Sequence, residues 1–357
     1  MKESSKIYDP TYISACYFRS TADSDHKKVI LQITERCNMF CKHCFVSSTS
    51  KGNDVSYCDL EKIILPKLLK GNVSKVTLTG GEPLLHKEIK NIISLLVKND
   101  ISVSICTNGL LIDDQLIEMC CNLGNIHFNI SLDGFRFESH GTFRGIKNES
   151  VFHTIINNIR EVGKAGLLNG ILVTPNIYAS TDEYSKLCSF AKTIGAKYVL
   201  FNPLSEFGRG QDTQPIGYHD EKLLEIQNLT QRYIDHNFEV VYIRFPEISK
   251  DIGGCPLGEI LYIFTNGDIA ICPYVVFAAY DRISLYKPDQ FFIANIFDES
   301  CDINEDVEKY ELPTEGLISI DCVYSGECSR GCIAAKVSSG RRVNDCDFEL
   351  CNQKGKL

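Results

Sequence analysis

Short runs of β-branched residues alternate along the first two thirds of the chain with longer stretches whose apolar residues recur at helical spacing. The pattern predicts six strands: Val29–Ile33, Lys75–Thr79, Ser102–Thr107, Ile126–Leu132, Ile171–Thr174 and Tyr198–Asn202. It predicts helices at Tyr57–Leu69, Lys87–Lys98, Asp113–Cys121, Val151–Ala165, Thr181–Thr193 and Asp220–His236. Repeated strand-then-helix units favour a parallel sheet covered by helices, and hence an α/β fold.

This alternation is expected to stop around Phe238–Ile252, where a different module begins. Ile260–Thr265 and Asp268–Cys272 are predicted to form a hairpin across Asn266-Gly267, a pair typical of two-residue turns. We therefore divide the chain into a lead segment (1–28), a core (29–245) and a cysteine-rich module (246–357).

Composition narrows the classes of partner. The chain has 357 residues and a formal charge of −9, with no long basic block, so nucleic acid is not expected as its main partner. No apolar run approaches the roughly 20 residues of a membrane-spanning helix. The N-terminus lacks the pattern of a secretory signal, so a cytoplasmic location is predicted. In that reducing compartment the 17 cysteines indicate metal or catalytic sites rather than disulfides.

The most informative cysteines are Cys37, Cys41 and Cys44, which form a C-x3-C-x2-C loop directly after the first predicted strand. Three thiolates are one ligand too few for a closed zinc site or for a [4Fe–4S] cluster held by protein alone. The loop therefore favours a cluster with one iron open to a ligand that is not protein. Three buried cysteines, or a zinc site with a distant fourth ligand, are the alternatives.

Polar residues follow the other predicted strands, and in parallel sheets active sites lie at that edge. Gly80 and Gly81 allow close approach of a ligand to the backbone, and Glu82 can accept a hydrogen bond from an ammonium group. Arg144 offers a fork for a carboxylate, although a lone arginine is more often a surface charge. Together these groups suit a small zwitterion that carries a nucleoside.

Over about residues 29–240 the chain resembles the radical S-adenosylmethionine (SAM) enzymes. The resemblance lies in the cysteine loop and in three further motifs at matching spacing: Gly80-Gly81-Glu82-Pro83, Thr107-Asn108-Gly109 and Ser131-Leu132-Asp133-Gly134. It implies a partial (β/α)6 TIM-like barrel in which Cys37, Cys41 and Cys44 hold a [4Fe–4S] cluster whose open iron binds SAM. The cofactor-binding residues it implies are His43 near adenine, Gly80, Gly81 and Glu82 at the amino group, Ser131 and Arg144 at the ribose and carboxylate, and the polar side chains of Asn108 and Asn176.

The C-terminal cysteines resemble the SPASM extension of such enzymes, a small twitch-type domain that carries up to two auxiliary iron–sulfur clusters. By that resemblance one cluster would be held by Cys255, Cys272 and Cys332, and the other by Cys322, Cys328, Cys346 and Cys351. One expected cysteine is replaced by Ser319, so either one or two auxiliary clusters are consistent with the pattern, and a zinc or vestigial site is the remaining alternative.

The catalytic base is not identified by this resemblance. Sulfatase-maturing relatives have an aspartate directly after the cysteine that corresponds to Cys272, and Pro273 stands there in this chain. Asp268 and Tyr274 are nearby titratable candidates, but neither matches the motif.

The resemblance implies reductive cleavage of SAM to a 5′-deoxyadenosyl radical that abstracts hydrogen from a substrate. Modification of a ribosomally made peptide or protein is the preferred outcome; dehydrogenation or epimerisation of a small molecule, such as an aminoglycoside or nucleoside intermediate, and a non-catalytic electron carrier are the alternatives. An electron donor such as flavodoxin or ferredoxin is expected. Only 36 residues precede Cys37, too few for the N-terminal peptide-recognition domain of many such enzymes, so either a separate peptide-recognition protein or a small substrate is expected.

Overall fold

The computed structural model describes residues 12–13, 26–205, 207–211, 216–218, 220–245, 251–252, 255, 257–314 and 331–347. In chain order the strands are β1 Tyr12–Ile13, β2 Lys27–Thr34, β3 Val73–Gly80, β4 Ser102–Thr107, β5 Ile126–Ser131, β6 Leu168–Val173, β7 Tyr198–Phe201, β8 Glu239–Tyr242, β9 Asp251–Ile252, β10 Ile260–Ile263, β11 Asp268–Ala270 and β12 Phe292–Asn295. All but β1 and β9 lie in one ten-stranded sheet. The short strands β1 and β9 pair with each other in parallel.

The predicted parallel sheet is confirmed. Strands β2 to β7 correspond to the six predicted strands and lie side by side in chain order, each parallel to the next. The sheet also contains β8, which pairs in parallel with β7 inside the segment where the repeating pattern was expected to stop. Strand β8, which is four residues long, was not among the predicted strands.

The helices cover this sheet: α1 Tyr57–Asp59, α2 Leu65–Lys70, α3 Ile89–Lys98, α4 Asp114–Leu123, α5 Thr142–Arg144, α6 Glu149–Lys164, α7 Thr181–Thr193, α8 Asp220–Thr230, α9 Val275–Ala279, α10 Ile303–Lys309 and α11 Ile333–Ser338. A π-helical stretch, Leu60–Ile64, joins α1 to α2, so the first predicted helix is present with an irregular centre. Among the described helices, none is both long enough and apolar enough to cross a bilayer.

The predicted hairpin is present as β10 and β11, which pair antiparallel across Asn266-Gly267. Strand β10 also pairs in parallel with β2, and β12 adds to the outer edge of β11. The hydrogen-bonded sheet therefore continues from the core into the cysteine-rich part of the chain. The proposed boundary near residue 246 stays a prediction.

Candidate functional site

The cysteine loop begins three residues after β2 ends at Thr34. Backbone hydrogen bonds close it on itself, from Cys37 N to Thr49 O at 2.7 Å and from Cys44 N to Cys41 O at 3.4 Å. Burial raises the pKa of Cys41 to about 12, and the charges of Cys37 and Cys44 contribute to that rise. Burial also raises the pKa of Cys37, with a contribution from Cys44. The three predicted ligands are therefore near neighbours in the fold.

The donor set fits an iron–sulfur cluster. Among the described residues, no three His, Cys, Asp or Glu side chains converge on the position of a single metal ion. A [4Fe–4S] cluster does not need such convergence, because each cysteine binds a different iron. Buried thiols with raised pKa values also need a compensating positive charge to ionise, and iron at the sulfurs supplies it.

Asp133 connects the strand ends around this loop, although sequence analysis gave it no role. Its carboxylate is 1% exposed and accepts hydrogen bonds from Arg144 Nε at 2.5 Å and Thr174 N at 2.8 Å. Its backbone carbonyl accepts from Asn176 Nδ2 at 2.8 Å. Its position in the Ser131-Leu132-Asp133-Gly134 motif was the available signal for its importance.

Arg144 is buried beside the cysteines, not a surface charge. Its Nη1 lies 4.0 Å from Cys41 Sγ. Burial lowers the pKa of Arg144, but the carboxylate of Asp133 and the charges of Cys41 and Cys37 together raise it above its ordinary value. The same ion pair lowers the pKa of Asp133 against the effect of burial. A permanent positive charge therefore lies next to the thiols.

His43, the residue before the last cysteine, stacks on Phe143 with ring centroids 4.0 Å apart and planes within 5°. Burial lowers the pKa of His43 to about 3, so its ring is neutral at ordinary pH. Its Nε2 lies 3.9 Å from Asp133 Oδ2, and its buried Nδ1 has no hydrogen-bond partner in the described part of the chain. The structure thus places His43 in the site as a neutral aromatic group with one unused polar atom.

Glu82 is buried at the end of β3, and its carboxylate links two strand ends. Its Oε1 accepts from Thr107 Oγ1 at 2.7 Å and from Leu84 N at 3.1 Å, while its Oε2 accepts from Asn108 N at 2.8 Å. Burial raises its pKa, although these hydrogen bonds oppose the rise. Because a carboxylate has about four lone-pair sites, one acceptor site remains for a ligand.

Gly80 and Gly81 lie very close to the backbone at and just after the end of β2. A Cβ at Gly80 would lie 2.1 Å from Thr34 O, and one at Gly81 would lie 2.2 Å from Arg36 O. The glycines therefore let β3 pack against the backbone that leads into the cysteine loop. Their observed contacts are with the chain, and the predicted approach of a ligand to this backbone stays a prediction.

The other predicted cofactor-binding residues lie at the same edge of the sheet. Ser131 is the last residue of β5 and is half-buried. Asn108 Nδ2 donates to Asn38 Oδ1 in the cysteine loop at 2.8 Å, and Asn176 is held against Asp133. The site thus brings together residues from the ends of several neighbouring strands, as the strand order requires.

Arg209 anchors the cysteine loop through hydrogen bonds. Sequence analysis did not identify it as a site residue. Its Nε donates to Cys41 O at 2.8 Å, its Nη1 donates to Ser48 O at 2.7 Å, and its backbone N donates to Cys44 O at 3.0 Å. The guanidinium also lies 4.0 Å from the ring centroid of Phe40. The Gly208-Arg209-Gly210 sequence after β7 was the feature from which a role for Arg209 could have been suspected.

A second group of cysteines forms in the C-terminal part. Burial raises the pKa of Cys272, and the charges of Cys255 and Cys332 raise it further, so the structure brings these three together. Cys346 is buried. The other predicted ligands of the outer cluster, Cys322, Cys328 and Cys351, and the departure at Ser319, lie outside the described residues.

The two candidate bases, Asp268 and Tyr274, both make contacts with other residues of the fold. Asp268 accepts from Asn266 Nδ2 at 2.7 Å and from Asn295 Nδ2 at 2.9 Å, which stabilises the turn of the β10–β11 hairpin. Tyr274 is buried, with its ring centroid 4.9 Å from that of Phe45. Neither observation tests a catalytic role for these side chains.

At the carboxyl ends of its parallel strands, the sheet thus carries the cysteine loop and, beside it, the buried ion pair of Arg144 and Asp133. Residues 31–190 match the sequence profile of the radical SAM superfamily. Over this range the chain is similar to the radical SAM superfamily, whose members use SAM and a [4Fe–4S] cluster.

Similarity to known proteins extends beyond residues 31–190. The antilisterial bacteriocin subtilosin biosynthesis protein AlbA of Bacillus subtilis is 24% identical over 330 residues, which cover 89% of this chain and 70% of AlbA. The sporulation killing factor maturation protein SkfB of the same species is 30% identical over 247 residues, or 68% of this chain and 59% of SkfB. Streptococcus suis SuiB, solved with its precursor peptide SuiA, superposes with a TM-score of 0.70 at 19% identity, covering 92% of this chain and 76% of SuiB. That superposition shows a shared fold.

Proposed function

We propose that this chain cleaves SAM reductively and uses the resulting radical to modify a ribosomally made peptide. The observation that carries the proposal is the gathering of Cys37, Cys41 and Cys44 beside the buried Arg144–Asp133 pair at the carboxyl edge of the sheet. The names of AlbA and SkfB, which concern a bacteriocin and a killing factor, support a peptide as the substrate class.

Cys37, Cys41 and Cys44 would hold the cluster, which when bound supplies the electron for SAM cleavage. The residues around it prepare the site. Arg144 contributes a fixed positive charge near Cys41, which offsets the negative charge of thiolates in a buried place. Asp133 orients that guanidinium through a charge-assisted hydrogen bond.

The remaining residues suit the parts of SAM. Glu82 keeps one free acceptor site, which suits an ammonium group, and its three hydrogen bonds fix the orientation of the carboxylate. His43 presents a neutral ring that an adenine can contact. Ser131, Asn108 and Asn176 complete the polar edge, and Gly80 and Gly81 set the close packing of the strand on which Glu82 depends.

We infer that Cys255, Cys272 and Cys332 hold an auxiliary iron–sulfur cluster, which the gathering of these thiols supports. A second cluster on Cys322, Cys328, Cys346 and Cys351, in a SPASM-type domain, belongs to the same proposal. A cytoplasmic location, a flavodoxin or ferredoxin as electron donor, and a separate peptide-recognition protein are its remaining parts.

The proposal is tested by anaerobic reconstitution with iron and sulfide, followed by addition of dithionite and SAM. We expect 5′-deoxyadenosine and methionine from the unaltered protein. Cys41→Ser should reduce 5′-deoxyadenosine to background, whereas Cys58→Ser, at an exposed cysteine in α1, should leave its formation unchanged.

The substrate class is tested separately by incubation with candidate precursor peptides and mass spectrometry. A mass change in the peptide that depends on SAM supports peptide modification. SAM cleavage that is stimulated by a small sugar or nucleoside, but by no peptide, would contradict it. Failure of the reconstituted protein to form 5′-deoxyadenosine would contradict the proposal as a whole.

A further inference from the structure

Tyr262 buries a hydroxyl group that has no partner. The residue lies in β10 and is 2% exposed, and within the described part of the chain its Oη forms no hydrogen bond. An unpaired buried hydroxyl lowers the folding stability of a protein. Phenylalanine would fill the same space without that cost, so the hydroxyl calls for a partner outside the described part of the chain.

Two aromatic contacts connect the ring of Tyr262 to the cysteine loop. Strand β10 runs parallel to β2, with Tyr262 opposite Ile30 in the register. The ring meets Phe277 edge-on at a centroid distance of 5.7 Å, and Phe277 meets Phe45, the neighbour of Cys44, edge-on at 5.2 Å. Burial raises the pKa of Tyr262, and the charge of the Cys44 thiolate raises it further.

We propose that Tyr262 is a positioning residue whose Oη donates a hydrogen bond to a sulfur of the iron–sulfur cluster at Cys44. The inference rests on the proposed function, because it needs that cluster. A neutral tyrosine is well suited to this role, since it has one donor and no charge at ordinary pH. Sulfur on a cluster is an acceptor that becomes stronger as the cluster gains an electron.

A hydrogen bond to a cluster sulfur stabilises the reduced state, which carries more negative charge, and so raises the reduction potential. Tyr262 would thus help set how readily the cluster accepts the electron that SAM cleavage requires. The same bond would convert an unfavourable buried hydroxyl of the metal-free protein into a satisfied one when the cluster is present.

The test is the substitution Tyr262→Phe in the reconstituted protein. Its cluster potential is measured by redox titration with electron paramagnetic resonance, and the spectral change on adding SAM identifies the cluster in question. We expect a more negative midpoint potential with unchanged iron and sulfide content. Tyr242→Phe is the matched control, because Tyr242 is a buried tyrosine whose hydroxyl pairs with Thr230 Oγ1 at 2.8 Å; its cluster potential should match that of the unaltered protein.

A second measurement separates a missing partner from a structural role. In the metal-free protein, Tyr262→Phe should be at least as stable to urea as the unaltered protein, whereas Tyr242→Phe should be less stable. An unchanged potential in Tyr262→Phe, or a loss of metal-free stability as large as that of Tyr242→Phe, overturns this inference alone. A protein that holds no SAM-sensitive cluster overturns the proposed function and this inference together.

Discussion

His140 illustrates how a single buried residue links the site to pH. Its Nδ1 accepts a hydrogen bond from Asp133 N at 3.0 Å, which requires an unprotonated nitrogen at that position. Burial lowers the pKa of His140 to about 3. In the unfolded chain the same group titrates near 6.5. Below that value the unfolded state takes up a proton that the folded state excludes, so folding stability falls as the pH falls.

Between pH 7.5 and pH 5.5 we therefore expect His140→Asn to lose less folding stability than the unaltered protein, by about 1.4 kcal/mol. The side chain of asparagine keeps an acceptor near the position of Nδ1. The measurement is anaerobic urea unfolding of the metal-free protein at both pH values. His153→Asn is the control for the substitution itself, because His153 is exposed on α6. An identical pH dependence in His140→Asn would contradict the assignment.

Asp133 and Arg144 show why sequence analysis assigned the roles of some single residues incompletely. Asp133 and Arg144 are 11 positions apart, and their side chains meet only because the π-helical stretch Phe137–Gly141 and α5 bring the chain back over the end of β5. A charged residue read alone is expected on the surface, yet Arg144 is 9% exposed. The ion pair with Asp133 offsets the free-energy cost of burying this charge, and it cannot be identified before the fold is known.

At the scale of elements, the segment after β7 holds the cysteine loop in position. Arg209 contributes three hydrogen bonds to carbonyl groups of the loop, two from its side chain and one from its backbone. Gly208, at φ +55°, lies so close that a Cβ there would be 2.4 Å from Phe45 O. The geometry of the cluster ligands therefore depends on a segment more than 150 residues away in sequence.

We expect Arg209→Lys to weaken retention of the cluster, because lysine cannot donate to two carbonyl groups with the fork geometry of arginine. Loss of about 1–2 kcal/mol corresponds to roughly 5–30-fold faster release of iron to a chelator. The measurement is the rate of iron release under anaerobic conditions. Arg160→Lys, on the exposed side of α6, is the control and should release iron at the unaltered rate. Equal rates in both variants would show that Arg209 does not hold the loop.

At the scale of the whole molecule, one buried ion pair joins the end of the parallel sheet to the C-terminal cysteines. Arg244 Nη1 and Nη2 donate to the two carboxylate oxygens of Asp347 at 2.6 and 3.1 Å, and both side chains are almost fully buried. Asp347 Oδ2 also accepts from Cys332 N at 3.1 Å. Because Cys332 is a proposed cluster ligand, this pair couples the core to the second cysteine group.

Breaking one partner of such a pair leaves an unpaired buried charge, so Asp347→Ala should lower the free energy of unfolding by about 3–5 kcal/mol. Replacing both partners in Arg244→Leu/Asp347→Leu should recover much of that loss. Urea unfolding under anaerobic conditions measures both effects. Asp345→Ala is the nearby control, since Asp345 caps only the turn at Arg342, and its effect should be small. A loss in Asp347→Ala no larger than that of the control would contradict the coupling.

The whole molecule also shows why one part of the sheet could not be predicted. The β10–β11 hairpin follows from a local turn signal, but its parallel pairing with β2 joins residues more than 200 positions apart. Periodicity within a segment does not specify which distant strand it pairs with. The joining of the cysteine-rich part to the core through one continuous sheet is therefore a property of the tertiary structure.

The amino-acid sequence by itself determined the kind and order of the core elements, because apolar spacing and turn residues act within a few positions. It also determined the spacing of Cys37, Cys41 and Cys44, since one loop holds all three. Only the tertiary structure decided which polar groups share their surroundings, since Asp133 and Arg209 reach the cysteine loop from two separate strand ends. The physical reason is that burial and hydrogen-bond partners depend on contacts between distant segments, which exist only after the chain has folded.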